Sequence, residues 1–311
     1  MPPTLQFRDD GTFIIAQFTD IHWQNGGAED RRSRALMERV LDEERPDLVV
    51  LTGDVIAGSG CENPAESWRQ AVAPVLDRVT PWAAIFGNHD DEGSLGRSEL
   101  MASQRSLPHC LSEPGPADIP GIGNFILEIG DPREGRTAAL LYFLDSGSYD
   151  GSGAGTYAWI AFEQVEWYRR ESSRLNALHG KDGPLPALAF FHIPLPEYND
   201  AWDRGQRQGS RYENVCCPAL NTGLFTAFYE QSDVSGVFVG HDHVNDFEGV
   251  LHGIRLCYGR ASGYNTYGRD GFPRGVRMIR LDEGQREFTT WMNLDGQAEP
   301  ISAESRANVD A

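Results

Sequence analysis

Five of the eight histidines in this chain, His22, His89, His192, His241 and His243, stand just after short apolar runs, as do Asp20, Asp54 and Asn88. Carboxylate, imidazole and amide oxygen together suit Mn, Fe or Zn, and the lack of thiolates argues against a structural zinc. In Asp20-Ile-His22 the two side chains are two residues apart, so a continuing strand would place both on one face and let both reach one ion. His241-Asp-His243 has the same spacing and could give one imidazole to each of two ions. Asp54 could bridge them, because a carboxylate has two oxygens. Two ions about 3.5–4 Å apart form the clamp used for in-line displacement at phosphorus. Each piece alone has a plain reading: Asp20-x-His22 as a turn or cap, Gly53-Asp54 as a turn dipeptide, Gly87-Asn-His-Asp90 as an Asx-turn loop. Their shared placement after apolar runs favours the metal reading.

The elements that must position these groups are legible as continuous apolar runs. Thr12–Phe18, Asp47–Leu51, Trp82–Phe86, Ala138–Leu144, Leu188–Phe191 and Gly236–Val239 each end in a polar turn. Such runs predict strands buried on both faces. Leu36, Met37, Val40 and Leu41 make a helical stripe stopped by Pro46, and Ala161, Val165, Tyr168, Ser172 and Leu175 make a second closed by Gly180. Alternating strand and helix implies α/β layers with ligands at the strand C-terminal ends. Ser146–Gly155 and Tyr198–Tyr212 read as long loops. No repeat or linker divides the chain, so residues 1–311 are expected to form a single catalytic domain with a flexible tail over about 298–311.

Taken in order, Asp-x-His, Gly-Asp, Gly-Asn-His-Asp, His and Gly-His-x-His resemble the calcineurin-like metallophosphoesterase superfamily, across residues 20–243. Gly240-His-Asp-His-Val-Asn-Asp246, with Leu256–Gly259 and Gly263–Gly268 downstream, resembles most closely its short purple-acid-phosphatase-like branch. The resemblance implies an α/β (α+β) fold, a four-layer β-sandwich flanked by helices, with a dimetal site at the strand C-terminal ends. It implies Asp20, His22 and His243 on one metal, Asn88, His192 and His241 on the other, and Asp54 between them. His89 matches the family's non-ligand histidine near the leaving group, with a histidine that merely holds Asn88 as the competing reading. One departure stands out: the tyrosine that purple enzymes carry three residues after the bridging aspartate is Ala57 here, so no ferric–tyrosinate colour is expected.

The implied chemistry is hydrolysis of a phosphoester by a metal-bound hydroxide, with His89 serving the leaving group. The favoured substrate is a small phosphomonoester. The alternatives are a phosphodiesterase acting on a small or lipid-head-group diester, and a non-catalytic binding module on the same fold. Asp145, Asp90 and Asp242 are candidates to orient ligating imidazoles, which usually donate their second N–H to an acceptor. Trp23, Tyr198, Asn199, Trp202 and Arg204 are candidates to shape the pocket, whereas Tyr264 and Tyr267 could equally be core, and His109, His179 and His252 read as structural or solvated.

Composition sets the outer bounds. A chain with 40% apolar and 23% charged residues is globular rather than disordered. A formal net charge of −19 repels phosphate backbones, so duplex nucleic acid is not expected as a partner. No apolar run approaches the roughly 20 residues of a membrane-spanning helix, and the N-terminal stretch does not read as a signal peptide. A soluble protein is expected, with its compartment not legible and the cytoplasm only slightly favoured. Five cysteines without a Cys-x-x-Cys pair read as free thiols, with a long-range disulfide through Cys216 or Cys217 as the alternative. Two divalent ions of unspecified identity are the expected cofactors, and oligomeric state is not legible.

Overall fold

The computed structural model describes residues 3–133, 135–180 and 183–296, so the expected tail over 298–311 lies outside the described residues. Twelve strands and six helices follow one another among them. One sheet contains β1 (Thr12–Phe18), β2 (Leu48–Thr52), β3 (Trp82–Ile85), β11 (Gly275–Asp282) and β12 (Phe288–Leu294), in the order β12-β11-β1-β2-β3. The other contains β4 (Phe125–Gly130), β5 (Thr137–Phe143), β6 (Ala187–Phe190), β7 (Gln206–Gln208), β8 (Val234–Val239), β9 (Glu248–Leu251) and β10 (Ile254–Tyr258). Its order is β4-β5-β6-β8-β10-β9-β7. Both sheets are mixed: β1, β2 and β3 run parallel, as do β5, β6, β8 and β10, and antiparallel strands complete the edges.

The continuous apolar runs have a period of two hidden inside them. Phe13, Ile15, Leu48, Val50, Ala83 and Ile85 share a core with Leu188, Val237 and Phe238 of the other sheet. The alternate residues Ile14, Ala16, Phe18, Val49, Leu51 and Ala84 belong to a second core with α1 (Ala28–Glu44) and α2 (Pro64–Asp77). Alternating side chains thus bury one face against a sheet and the other against helices. Leu36, Met37, Val40 and Leu41 form the buried stripe of α1, and the helix ends at Arg45, in left-handed conformation before Pro46. On the far side, α4 (Phe162–His179) buries Val165, Tyr168, Ser172 and Leu175 and stops at Gly180; α6 (Leu224–Gln231) packs beside it. Helix, sheet, sheet, helix is the layered order the sequence implies. No helix among the described residues is long and apolar enough to cross a membrane.

Two elements depart from expectation. Glu197–Arg204 forms a helix (α5) and Gln206–Gln208 forms an edge strand, so most of the expected loop over Tyr198–Tyr212 is ordered secondary structure. Their few apolar residues hid them: α5 buries only Tyr198 and Ala201. The helices α2, α3 (Arg97–Arg105) and α6 also had no counterpart in the expected stripes. All five cysteines are free.

Candidate dimetal site

The C-terminal ends of β1, β2, β3, β6 and β8 meet at one place, carrying Asp20 and His22, Asp54, Asn88 and His89, His192, and His241 and His243. Strand β1 stops at Phe18, so Asp20 and His22 do not share a strand face as expected. They converge through left-handed backbone instead. Asp20 (φ 53°), His22 (φ 50°), Asp54 (φ 49°) and His241 (φ 79°) all hold this conformation. It is uncommon for residues with a side chain and collects at functional sites.

Two groups of buried donor atoms result, each with its atoms within 4.8 Å of one another: Asp20, His22, Asp54 and His243, and Asp54, His192 and His241. Asp54 is common to both. Its Oδ2 lies 3.6 Å from His22 Nε2 and 3.2 Å from His192 Nε2. His243 Nε2 lies 3.4 Å from Asp20 Oδ1 and 3.3 Å from His22 Nε2, and His241 Nδ1 lies 3.3 Å from His192 Nε2. On the loop after β3, Asn88 Nδ2 donates to Tyr149 Oη at 3.0 Å, while its buried Oδ1 has no hydrogen-bond partner.

The donor set fits divalent cations. Asp54 Oδ2 and Asn88 Oδ1 are buried without a hydrogen bond, which is costly unless a ligand satisfies them. Burial opposes ionisation of Asp20, but His243 and His192 outweigh it and hold its pKa at about 2. Burial also opposes ionisation of Asp54, and His192 and His22 carry it well below the usual range. Burial drives the His22 pKa down to about 4, and burial with His192 drives that of His241 to about 3. Ionised carboxylates beside neutral imidazoles are the states metal ligation requires. Burial disfavours protonated His192, yet Asp54 lifts its pKa to about 9, so the centre calls for positive charge.

Imidazole orientation comes from groups the sequence did not reveal. His192 Nδ1 pairs with the Thr52 carbonyl at 2.7 Å, and His243 Nδ1 with Thr266 Oγ1 at 2.8 Å. None of the three aspartates expected in this role performs it. Asp90 accepts the backbone N–H groups of Asp54, Gly87 and Ile56 at 2.9, 2.7 and 2.9 Å, tying the β2 and β3 loops together. Burial, with the charge of Asp54, pushes its pKa up to about 7. Asp145 pairs with Arg97 and accepts from the Ile122 and Gly147 amides. Asp242 accepts the Tyr258 hydroxyl at 2.5 Å, and burial pushes its pKa up to about 6. The hydrogen bonds of these carboxylates go to backbone, hydroxyl or guanidinium donors.

Two glycines of the motifs are dictated by close approach. A Cβ at Gly87 would lie 2.1 Å from Asp54 Oδ1, and one at Gly240 would lie 1.9 Å from Thr19 Oγ1. Neither strand end could come this near with a side chain.

His89 sits at the mouth, its side chain 37% exposed and its ring 5.3 Å from that of His22. Its Nδ1 pairs with Glu92 Oε2 at 2.8 Å. Burial disfavours the imidazolium, but Asp54 and Glu92 outweigh it and raise the pKa above the ordinary imidazole value. Three tyrosines stand against the centre, of which Tyr149 and Tyr157 carried no readable pattern. Tyr149 donates to Glu92 at 2.9 Å, Tyr157 packs edge-on against His241 at 4.4 Å, and Tyr267 stacks on His243 at 4.2 Å. Tyr267 is exposed rather than core, and its hydroxyl donates to Glu213 at 2.9 Å. Of the expected pocket residues, Tyr198 is fully buried and donates to the Val237 and Cys257 carbonyls, and Trp202 packs on Phe247. Asn199 pairs with Arg211, Arg204 with Asp200, and Trp23 is core. His109, His179 and His252 lie outside the two donor groups.

Fold and site together define a metallophosphoesterase-type centre, and the comparisons agree. Residues 13–245 match the family model described as calcineurin-like phosphoesterase. The chain belongs to the calcineurin-like phosphoesterase family. It is 36% identical over 315 residues to an Arabidopsis thaliana protein named probable inactive purple acid phosphatase 29, covering 92% of this chain and 81% of that one. It is 34% identical to the Saccharomyces cerevisiae phosphatase DCR2, covering 96% of this chain and 56% of that protein. A dimetal phosphatase from Danio rerio shares the fold with a TM-score of 0.59 at 14% identity, over 89% of this chain and 98% of that one.

Proposed function

We propose that this chain is a phosphoric ester hydrolase acting on small phosphomonoesters. In this reading Asp20, His22 and His243 hold one divalent cation, Asn88, His192 and His241 hold a second, and Asp54 is shared. The observation that carries it is Asp54 Oδ2, buried, without a hydrogen bond, and facing imidazoles of both donor groups. When bound, a cation pair lowers the pKa of a water and neutralises charge on the non-bridging phosphoryl oxygens. The chain's own groups do the rest. Ionised Asp20 and Asp54 and neutral His22 and His241 fix the centre's charge. His89, steadied through Nδ1 by Glu92, keeps Nε2 to donate a proton to the departing oxygen. Thr52 and Thr266 fix the rings of His192 and His243.

Some relatives carry names that call them inactive, which motivates a second reading as a binding module. Against it, this chain retains a donor at every position of the expected set. Turnover of nitrophenyl phosphate and of bis(nitrophenyl) phosphate, with Mn, Fe or Zn supplied in turn, tests the proposal. Faster turnover of the monoester is expected. Faster turnover of the bis-ester would move the reading to a phosphodiesterase, and no turnover by a metal-replete protein would favour the binding module.

A further inference from the structure

Beside the loop that supports His243 lies a cavity of about 570 Å³ lined by Arg32, Tyr264, Arg269 and Arg274, with Asp270 its one acidic side chain among the described residues. Three arginines around one cavity are unexpected in a chain of formal net charge −19. Arg274 is the decisive residue. It is 8% exposed, and no carboxylate lies within ion-pair distance of it among the described residues; its Nη2 donates only to the carbonyls of Thr266 and Tyr267, both at 2.8 Å. A buried guanidinium normally finds an anion. Burial lowers its pKa despite the more distant Asp20, and Arg32 adds to that cost. Arg269, exposed at the rim, has no carboxylate partner among the described residues and lies 4.4 Å over the Tyr212 ring, whereas Arg32 pairs with exposed Glu29 and covers the Tyr264 ring at 3.8 Å. Gly268 makes room for the cluster: a Cβ there would lie 2.9 Å from Arg274 Nη2.

We propose that this cavity is an anion site that takes a phosphate group on Arg32, Arg269 and Arg274. Guanidinium forks match phosphate oxygens in geometry and charge. The site is coupled to the centre by a short path. Arg274 holds the Thr266 carbonyl, Thr266 Oγ1 holds His243 Nδ1, and Tyr267, next along, stacks on the His243 ring. A phosphate drawn to Arg274 therefore bears on the residue that orients His243.

Free orthophosphate and a second phosphoryl group of one substrate share this chemistry. Calorimetric titration of the metal-loaded protein with orthophosphate tests the site. The R32A/R269A double variant is expected to bind one phosphate fewer than wild type, or to bind that one about tenfold more weakly, and D54N is expected to retain it. Unchanged phosphate number and affinity in R32A/R269A would overturn the proposal, as would loss of all phosphate binding in folded D54N. Should D54N fail to fold by circular dichroism, the comparison of wild type with R32A/R269A decides alone. The two sources separate by kinetics on nitrophenyl phosphate and on a butanediol bisphosphate. A KM increase in R32A/R269A confined to the bisphosphate identifies a substrate's second group; altered inhibition by orthophosphate with both substrates identifies the free ion.

Discussion

Replacing Gly87 by alanine tests whether Asp54 must stand where it does. The new Cβ would lie 2.1 Å from Asp54 Oδ1 and 2.5 Å from the Asp54 backbone nitrogen. Unstrained contacts between carbon atoms lie near about 3.5–4.0 Å, so the carboxylate must retreat by about 1 Å or more. That movement breaks the bond from the His89 amide to Asp54 Oδ1, now 2.8 Å. Overpacking of this kind costs about 1–3 kcal/mol, and each kcal/mol lowers the melting temperature of a chain this large by about 2–4 °C or less. The functional loss is expected to be greater, because Asp54 serves both donor groups and a displacement of about 1 Å can cost about 10²-fold in rate. Metal analysis, thermal unfolding and nitrophenyl phosphate turnover measure the three effects. Gly151→Ala is the control, since nothing lies within 4 Å of its Cβ. A Gly87→Ala protein with full metal content and turnover within about twofold of wild type would refute the reasoning.

Other substitutions separate chemistry from scaffold. His89→Ala is expected to keep its metal content and lose about 10²–10⁴-fold in turnover, the usual contribution of a proton donor; loss of metal instead would make His89 a support for Asn88. Asp233, fully buried at the start of β8, accepts from the Tyr142 hydroxyl at 2.9 Å, Ser172 Oγ at 2.6 Å and the Val234 amide at 2.8 Å. Asp233→Ala leaves several buried donors unpaired and removes a buried charge, for a net loss of about 2–4 kcal/mol in stability. Its metal content at low temperature should match wild type, because it sits at the opposite end of β8 from His241. Chemical denaturation alongside metal analysis checks both halves.

The donor residues were legible because each follows a strand that is apolar on both faces, and such runs stand out without any alternation. The same reading missed α5, whose Glu197-Tyr-Asn-Asp-Ala-Trp-Asp-Arg204 sequence has too few apolar residues for a stripe. It also left β4, β7, β9, β10, β11 and β12 unassigned; each carries exposed or partly exposed positions that interrupt its apolar run. The spacing of Asp20 and His22 suggested one strand face, whereas left-handed turns bring them together, a conformation that side-chain type does not announce. The roles of Asp90, Asp145 and Asp242 were misjudged for a related reason. Their partners are backbone amides, a hydroxyl and Arg97, which are defined only once the loops fold. Tyr149 and Tyr157 sit in loops without periodicity, and only contacts with Asn88 and His241 mark them.

Electron paramagnetic resonance of the manganese-loaded protein, with the metal counted in the same sample, tests the shared role of Asp54 most directly. Wild type is expected to hold two ions per chain and to give the spectrum of an exchange-coupled pair, lost in Asp54→Asn. Two uncoupled ions, a single ion, or a coupled spectrum that survives in Asp54→Asn would contradict a centre built around that carboxylate.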